Sequence, residues 1–256
     1  MFTGVAALGL YTIAFVLLLI SFQERRAQSF FYGAMLAGLC AHLYFLYRII
    51  DTPTGQNLNV FNMLSLMTAL WVAIVGISNL TTKLRSLFLV VLPLAAASIL
   101  PIWARSASVA PVLLPLGEDP LALSHILLAL GAYALLGVSF LQAMALAIQR
   151  RYLSLSPAHS VLPYLPPLEA MQNLMMRILL VAFTLLTLAL GFGMAAHGAG
   201  SILMSFKSAV SAMVWVLCAV LLVLYYRVGL QVRYAILGIG LAWLGLSLAY
   251  VGMKIW

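Results

Sequence analysis

Of 256 residues, 65% are hydrophobic and 7% charged, against roughly 25% charged in soluble globular domains, so a water-soluble fold is excluded and an integral membrane protein is indicated. Thirteen lysines and arginines against five acids give a formal charge of +8. In a soluble chain that excess would point to nucleic acid. In a membrane chain the basic residues are set first by topology, and no nucleic-acid partner is expected.

The first apolar run, in MFTGVAALGLYTIAFVLLLISFQERR, has no positive residue ahead of it and carries Arg25 and Arg26 behind it, the reverse of a cleaved signal peptide. Apolar runs of membrane-crossing length then recur to the end of the chain, leaving no stretch for a separate soluble domain. The reading is an all-α integral membrane protein, one transmembrane domain over 1–256. It is a bundle of about eight transmembrane helices at approximately 4–22, 30–50, 60–79, 86–103, 122–148, 174–194, 208–226 and 234–254. An even count places both termini on one side. Alternate connections, with the start of span six, collect Arg25, Arg26, Lys83, Arg85, Arg150, Arg151, Arg177, Arg227 and Arg233, nine basic residues against four on the other side. By the positive-inside rule both termini then face outward, to the periplasm of a bacterial inner membrane. Two connections are longer than a turn needs: RSASVAPVLLPLGEDPLALS outside, and the proline-rich RRYLSLSPAHSVLPYLPPLEAMQ inside. Cys40 and Cys218 fall inside spans and read as small packing residues.

Soluble-enzyme motifs are missing: there is no Walker glycine-lysine loop, G-x-S-x-G, H-E-x-x-H or C-x-x-C. None of the five acids lies mid-span, so acid-base or metal-hydrolytic catalysis is not expected, and the chain is read as a non-enzyme. The histidines are more informative, because an ionisable group in a bilayer needs a cavity or a partner. His42, in LCAHLYFLYR, lies roughly 12 Å below the outer end of span two. It is either a neutral imidazole bonded to a neighbouring helix or a cofactor ligand. His125, in DPLALSHILLALGAYALL, comes at the outer mouth of span five, with Ser124 beside it as a partial helix cap. There it is an ordinary interfacial polar residue or an iron ligand. His197 lies in an outer loop, and His159 on the inner side.

Span three opens with TGQNLNVFNMLSLMTAL. Its Asn59, Asn62, Ser65 and Thr68 are three apart, a polar stripe that winds by about 60° per step down to roughly the depth of His42. Two readings stand: an outward-opening polar pocket lined by spans two and three, or amides and hydroxyls that hold helices together. Gln56 and Asn57 finish a turn and cap the helix.

These segments resemble the CcsA/CcmC/CcmF heme-handling membrane proteins of cytochrome c assembly, and within them the HemX/YpjD-like branch. The resemblance runs through AHLYF, GQNLNVFNMLSL, SHILLALGAYALLGVSFLQAMAL, PPLEAM and YAILGIGLAWLGLSLAYVGMKIW. In that family a tryptophan-rich outer loop ending in aspartate holds one edge of heme, and flanking external histidines bind its iron. The resemblance implies that His125 is the first of those histidines, that His42 is the transmembrane histidine of the branch, and that Lys207, within the corresponding loop AAHGAGSILMSFKSAV, holds the place of a lysine that often follows the tryptophan motif. The loop lacks the tryptophans and the aspartate, and no histidine follows His197.

The expected function is therefore that of an inner-membrane heme-binding or heme-handling protein related to cytochrome c biogenesis factors. His42 and His125 are the candidate axial ligands, with His197 a weaker one. Asn59 and Asn62 would orient polar groups, and Lys207 and Arg105 would pair with heme propionates. Its partners are membrane lipid, heme and other membrane assembly proteins. The alternative is a non-heme assembly or regulatory subunit that keeps the fold, and a small-solute transporter is a third class, disfavoured by the lack of broken helices and buried acids.

Overall fold

The computed structural model describes residues 2–53, 55–81, 85–105, 113–114, 119–155, 167–197 and 206–251. Among these, the helices are α1 (Phe2–Ser21), α2 (Arg25–Ile50), α3 (Val60–Thr81), α4 (Phe88–Arg105), α5 (Pro120–Leu155), α6 (Leu168–His197), α7 (Phe206–Val228) and α8 (Val232–Val251). The first seven are long and apolar enough to cross a membrane, and the apolar part of α8, Val232–Leu248, is shorter. The all-α membrane architecture read from the apolar runs is the one observed.

The ends differ from expectation in two places. The link between α1 and α2 is only three residues, Phe22 to Glu24, so Arg25 and Arg26 lie in the first turn of α2. Nothing in Gln149–Leu155 breaks a helix, and α5 continues through it to 36 residues, about 54 Å of helix against a hydrocarbon core of roughly 30 Å.

The chain forms two compact units, Met1–Glu118 and Asp119–Trp256. In the first, α1 buries Gly4, Ala7, Tyr11, Ala14, Leu18 and Ser21, alternating steps of three and four that keep one stripe against a partner helix. That stripe meets Gly38, His42 and Phe45 on α2, while Phe31 of α2 packs on Phe88 of α4 and Met35 lies toward Gly76 of α3. Gly4 and Gly38 are the close approaches: a Cβ would lie 2.9 Å from the Phe45 ring at the first and 3.0 Å from Tyr11 Cδ1 at the second, where the Tyr11 ring would have to give by a few tenths of an ångström. Phe88, Val91, Leu92, Ala95 and Ile99 of α4 complete this core. At one end the Arg85 guanidinium sits 4.7 Å over the Phe22 ring, tying the α3–α4 turn to the α1–α2 turn.

At the opposite end a small antiparallel sheet forms from β1 (Asp51–Thr52), β2 (Gly55–Asn57) and β3 (Leu113–Leu114). Gln56 faces Asp51 on one side and Leu114 on the other. Gln56 and Asn57 were expected to finish a turn, and the structure makes them a strand instead. A chain returning past α4 supplies β3, a partner that span-by-span reading cannot supply.

The second unit is built on the α5–α6 hairpin. Ala132, Leu136, Ala143 and Leu146 of α5 pack with Met171, Met175, Leu179 and Ala182 of α6, and α7 and α8 add Val214, Cys218, Leu221, Ala235, Ile239 and Ala242. Within this core Gln142 is fully buried. Its amide donates to the Met171 carbonyl across a long 3.4 Å, and its Oε1 has no hydrogen-bond partner among the described residues. An orphaned buried acceptor costs about 1–3 kcal/mol, whereas an apolar side chain of the same shape carries no such penalty. Gln142→Met is therefore expected to keep or raise the melting temperature in mild detergent, read by circular dichroism. A fall comparable to a core truncation would show that the amide has a partner.

Candidate functional site

His42 sits at zero exposure on α2, where α1, α3 and α4 converge. Its Nδ1 lies 3.2 Å from the Tyr11 hydroxyl and its Nε2 2.8 Å from Ser65 Oγ. The chain continues from Ser65 to Ser98 at 3.1 Å, and Thr68 reaches Ser98 at 2.8 Å. Four helices thus contribute to one hydrogen-bonded network.

Proton bookkeeping fixes its direction. Ser98 donates to the Ala95 carbonyl at 2.8 Å, so its oxygen accepts from Ser65, and Ser65 in turn accepts from His42 Nε2–H. Nδ1 then accepts from the Tyr11 hydroxyl. The reverse direction would leave the proton of Tyr11, 1% exposed, with no acceptor among the described residues. The network thereby assigns His42 the neutral Nε2–H tautomer, with both nitrogens engaged.

The amides at the mouth of α3 have a local use. Asn59 Oδ1 accepts from the Asn62 backbone N–H at 2.9 Å, and the Asn59 carbonyl accepts from Met63 N–H at 3.0 Å, which makes Asn59 the N-cap. Asn62, 1% exposed, sends its side-chain amide back to the Asn57 carbonyl at 2.9 Å, fastening β2 to the helix. Gln56 donates to Asp51 at 3.2 Å. The stripe divides accordingly: Asn59 and Asn62 fasten the helix entrance, while Ser65 and Thr68 join the His42 network.

His125 is placed differently. It lies half-buried near the start of α5, whose first N–H groups are taken by Asp119: Oδ1 accepts from Leu121 at 3.0 Å and Ala122 at 3.1 Å. Asp119, rather than Ser124, is thus the cap. His125 Nδ1 lies 2.7 Å from the Ala189 carbonyl on α6, so it carries the proton and donates. The lone pair is then on Nε2, which has no hydrogen-bond partner among the described residues. Gly193 makes the socket: a Cβ there would stand 2.8 Å from Nδ1. One nitrogen held by a carbonyl with the other left without a protein partner is the arrangement that orients an imidazole toward a metal.

The structure brings His42 together with Ser65 and Thr68, and Asn59 with Asn62, inside the first unit. It places His125 in the second unit, where Lys207 is exposed at the start of α7. The side chains of Arg105 and His197, which end α4 and α6, lie outside the described residues, as do His159, Lys83 and the two long connections apart from β3 and the flanking helix residues. Among the described residues no group of three His, Cys, Asp or Glu side chains could hold a metal ion. Sequence reasoning missed Tyr11, Ser98 and Gly193. Tyr11 lies on the three-four stripe of α1 and Gly193 in the G-F-G of α6, but neither pattern names its partner.

A family model described as cytochrome c assembly protein matches residues 4–256. No curated protein and no solved structure matches the chain.

Two outcomes follow from the geometry. Tyr11→Phe and Ser65→Ala each remove one partner of the buried imidazole and should lower stability by about 0.6–2 kcal/mol. Their double variant should fall short of the sum, measured by thermal unfolding, because both act through one ring. Gly193→Ala should displace the His125 ring, moving its 15N-histidine resonances and leaving those of His42 in place. Unmoved His125 signals would mean that α6 yields instead.

Proposed function

The chain belongs to the cytochrome c assembly protein family, and on that premise we propose that it binds or passes heme, with His125 as the residue that would hold the iron. It is a multi-pass membrane protein with a role related to cytochrome c biogenesis. We place it in a bacterial inner membrane, its termini and the His125 end facing outward. The observation that carries the heme reading is the pair of states of the His125 nitrogens, with Nδ1 donating to the Ala189 carbonyl and Nε2 unengaged among the described residues. Heme, when bound, supplies an iron that accepts such a nitrogen.

The residues then divide the work. Ala189 and Gly193 hold the ring and its tautomer. Lys207 provides a cation for a propionate at the same end of the second unit. His42 has a lesser claim as ligand, since its Nδ1 lone pair accepts from Tyr11 and its Nε2 carries the proton. Asn59 and Asn62 shape the entrance to α3. We assign no bond-making step to the chain.

A second reading is favoured by a specific observation. With His42 fully hydrogen-bonded and the tryptophan-rich loop missing, the chain has the features of an assembly or regulatory subunit that keeps the fold without the cofactor. Pyridine-hemochrome analysis of protein purified from heme-replete cells separates the two. The heme reading expects near-stoichiometric heme, a Soret band lost in His125→Ala, and one retained in a less stable His42→Ala. Clean apo-protein that takes up no added hemin would leave the subunit reading.

A further inference from the structure

α6 carries a charge in an unusual position. Its membrane-crossing segment runs Leu168–Ala196, and about 20 residues, the thickness of the hydrocarbon core, counted back from Ala196 end at Arg177. Arg177 is exposed on the outer face of the helix, and no carboxylate forms an ion pair with it among the described residues. Glu169 is two turns away, about 12 Å along the helix. That count puts the guanidinium at the edge of the hydrocarbon core, where it can meet the phosphate layer.

The surroundings provide more than a charge. Asn173, one turn from Arg177 on the same face, accepts a 2.5 Å hydrogen bond from the Tyr225 hydroxyl on α7. Glu169, on the far side of Asn173, and Arg177 both act electrostatically on that phenol. Tyr226 packs edge-on against Tyr225 with ring centroids 5.1 Å apart, and is itself exposed. The result is a polar notch between α6 and α7, cationic at its deep end, with an aromatic wall at the level where lipid phosphates lie. Arginine's planar fork suits phosphate oxygens in pairs, and aromatic rings suit the headgroup and glycerol region.

We propose that the notch formed by Asn173, Arg177 and Tyr225 binds the phosphate headgroup of an anionic phospholipid. Arg177 meets the phosphate oxygens, Tyr225 is held against it by Asn173, and the acyl chains lie along the apolar outer faces of α6 and α7, where Leu180, Val181, Leu188, Val216 and Val220 are exposed. Charge complementarity selects the occupant, and the depth selects a lipid over a soluble anion.

The test reconstitutes the full chain into nanodiscs of equal phosphatidylcholine and phosphatidylglycerol, then quantifies by mass spectrometry the lipid that survives extraction into mild detergent. Wild-type protein should enrich phosphatidylglycerol. Arg177→Gln should reduce the enrichment roughly fivefold, the effect of one basic residue near a charged lipid surface. Tyr225→Phe and Arg177→Lys should reduce it less, which keeps the test informative if the glutamine variant folds poorly. Arg233→Gln, on α8, should leave it unchanged. Equal retention of both lipids, or enrichment undiminished in Arg177→Gln, would overturn the proposal in favour of an arginine that merely reaches for water. Displacement of the retained lipid by inorganic phosphate would overturn it in favour of a soluble-anion site.

Discussion

A polar group in the hydrocarbon core has no water to turn to, so each one must find its partner within the protein. The first unit meets this constraint by pooling. Tyr11, His42, Ser65, Ser98 and Thr68 come from four different helices and satisfy one another at 2.8–3.2 Å. Gly38, by admitting the Tyr11 ring, is part of the same solution. Because the imidazole has two nitrogens on opposite edges, it bridges α1 and α3, a span that no single hydroxyl covers.

The second unit meets the constraint mostly with carbonyls. Thr184, Thr187 and Ser247 bond back to carbonyls of their own helices, and Ser139 crosses to the Met175 carbonyl on α6. Thr187 and Ser247 are in addition met from other helices, by the Trp215 indole N–H at 2.8 Å and the Tyr133 hydroxyl at 2.7 Å, so each hydroxyl pairs one local carbonyl with one cross-helix side chain. His125 follows the same habit by using the Ala189 carbonyl. A carbonyl takes only one of its nitrogens, and the other has no hydrogen-bond partner among the described residues.

The helices were legible because their signal is one-dimensional: an apolar run of sufficient length reads as a helix wherever it packs. The polar stripe Asn59, Asn62, Ser65, Thr68 was also legible, and Ser65 does meet His42 across α2 and α3. What the sequence could not show was how the stripe divides. A cap and a network look the same until the Asn57 carbonyl and Ser98 are in place, and both depend on other segments. The same limit hid β2, which needs Leu113 and Leu114 from beyond α4. The continuation of α5 to Leu155 was missed for another reason: the run turns polar at Gln149 before any helix breaker occurs.

The two histidines also show why burial alone is a poor guide to a ligand in a membrane. His42 is the deeper and more enclosed, and on depth alone it would rank first. Yet in hydrocarbon an imidazole with an unused nitrogen is penalised, so the fold fills both, and the filled ring is a brace. Near the exposed Asp119 cap at the start of α5, where His125 is only half-buried, a nitrogen without a protein partner costs less than in a sealed core. The position that makes His125 look like an ordinary interfacial residue is therefore also what lets one edge of its ring go without a partner among the described residues.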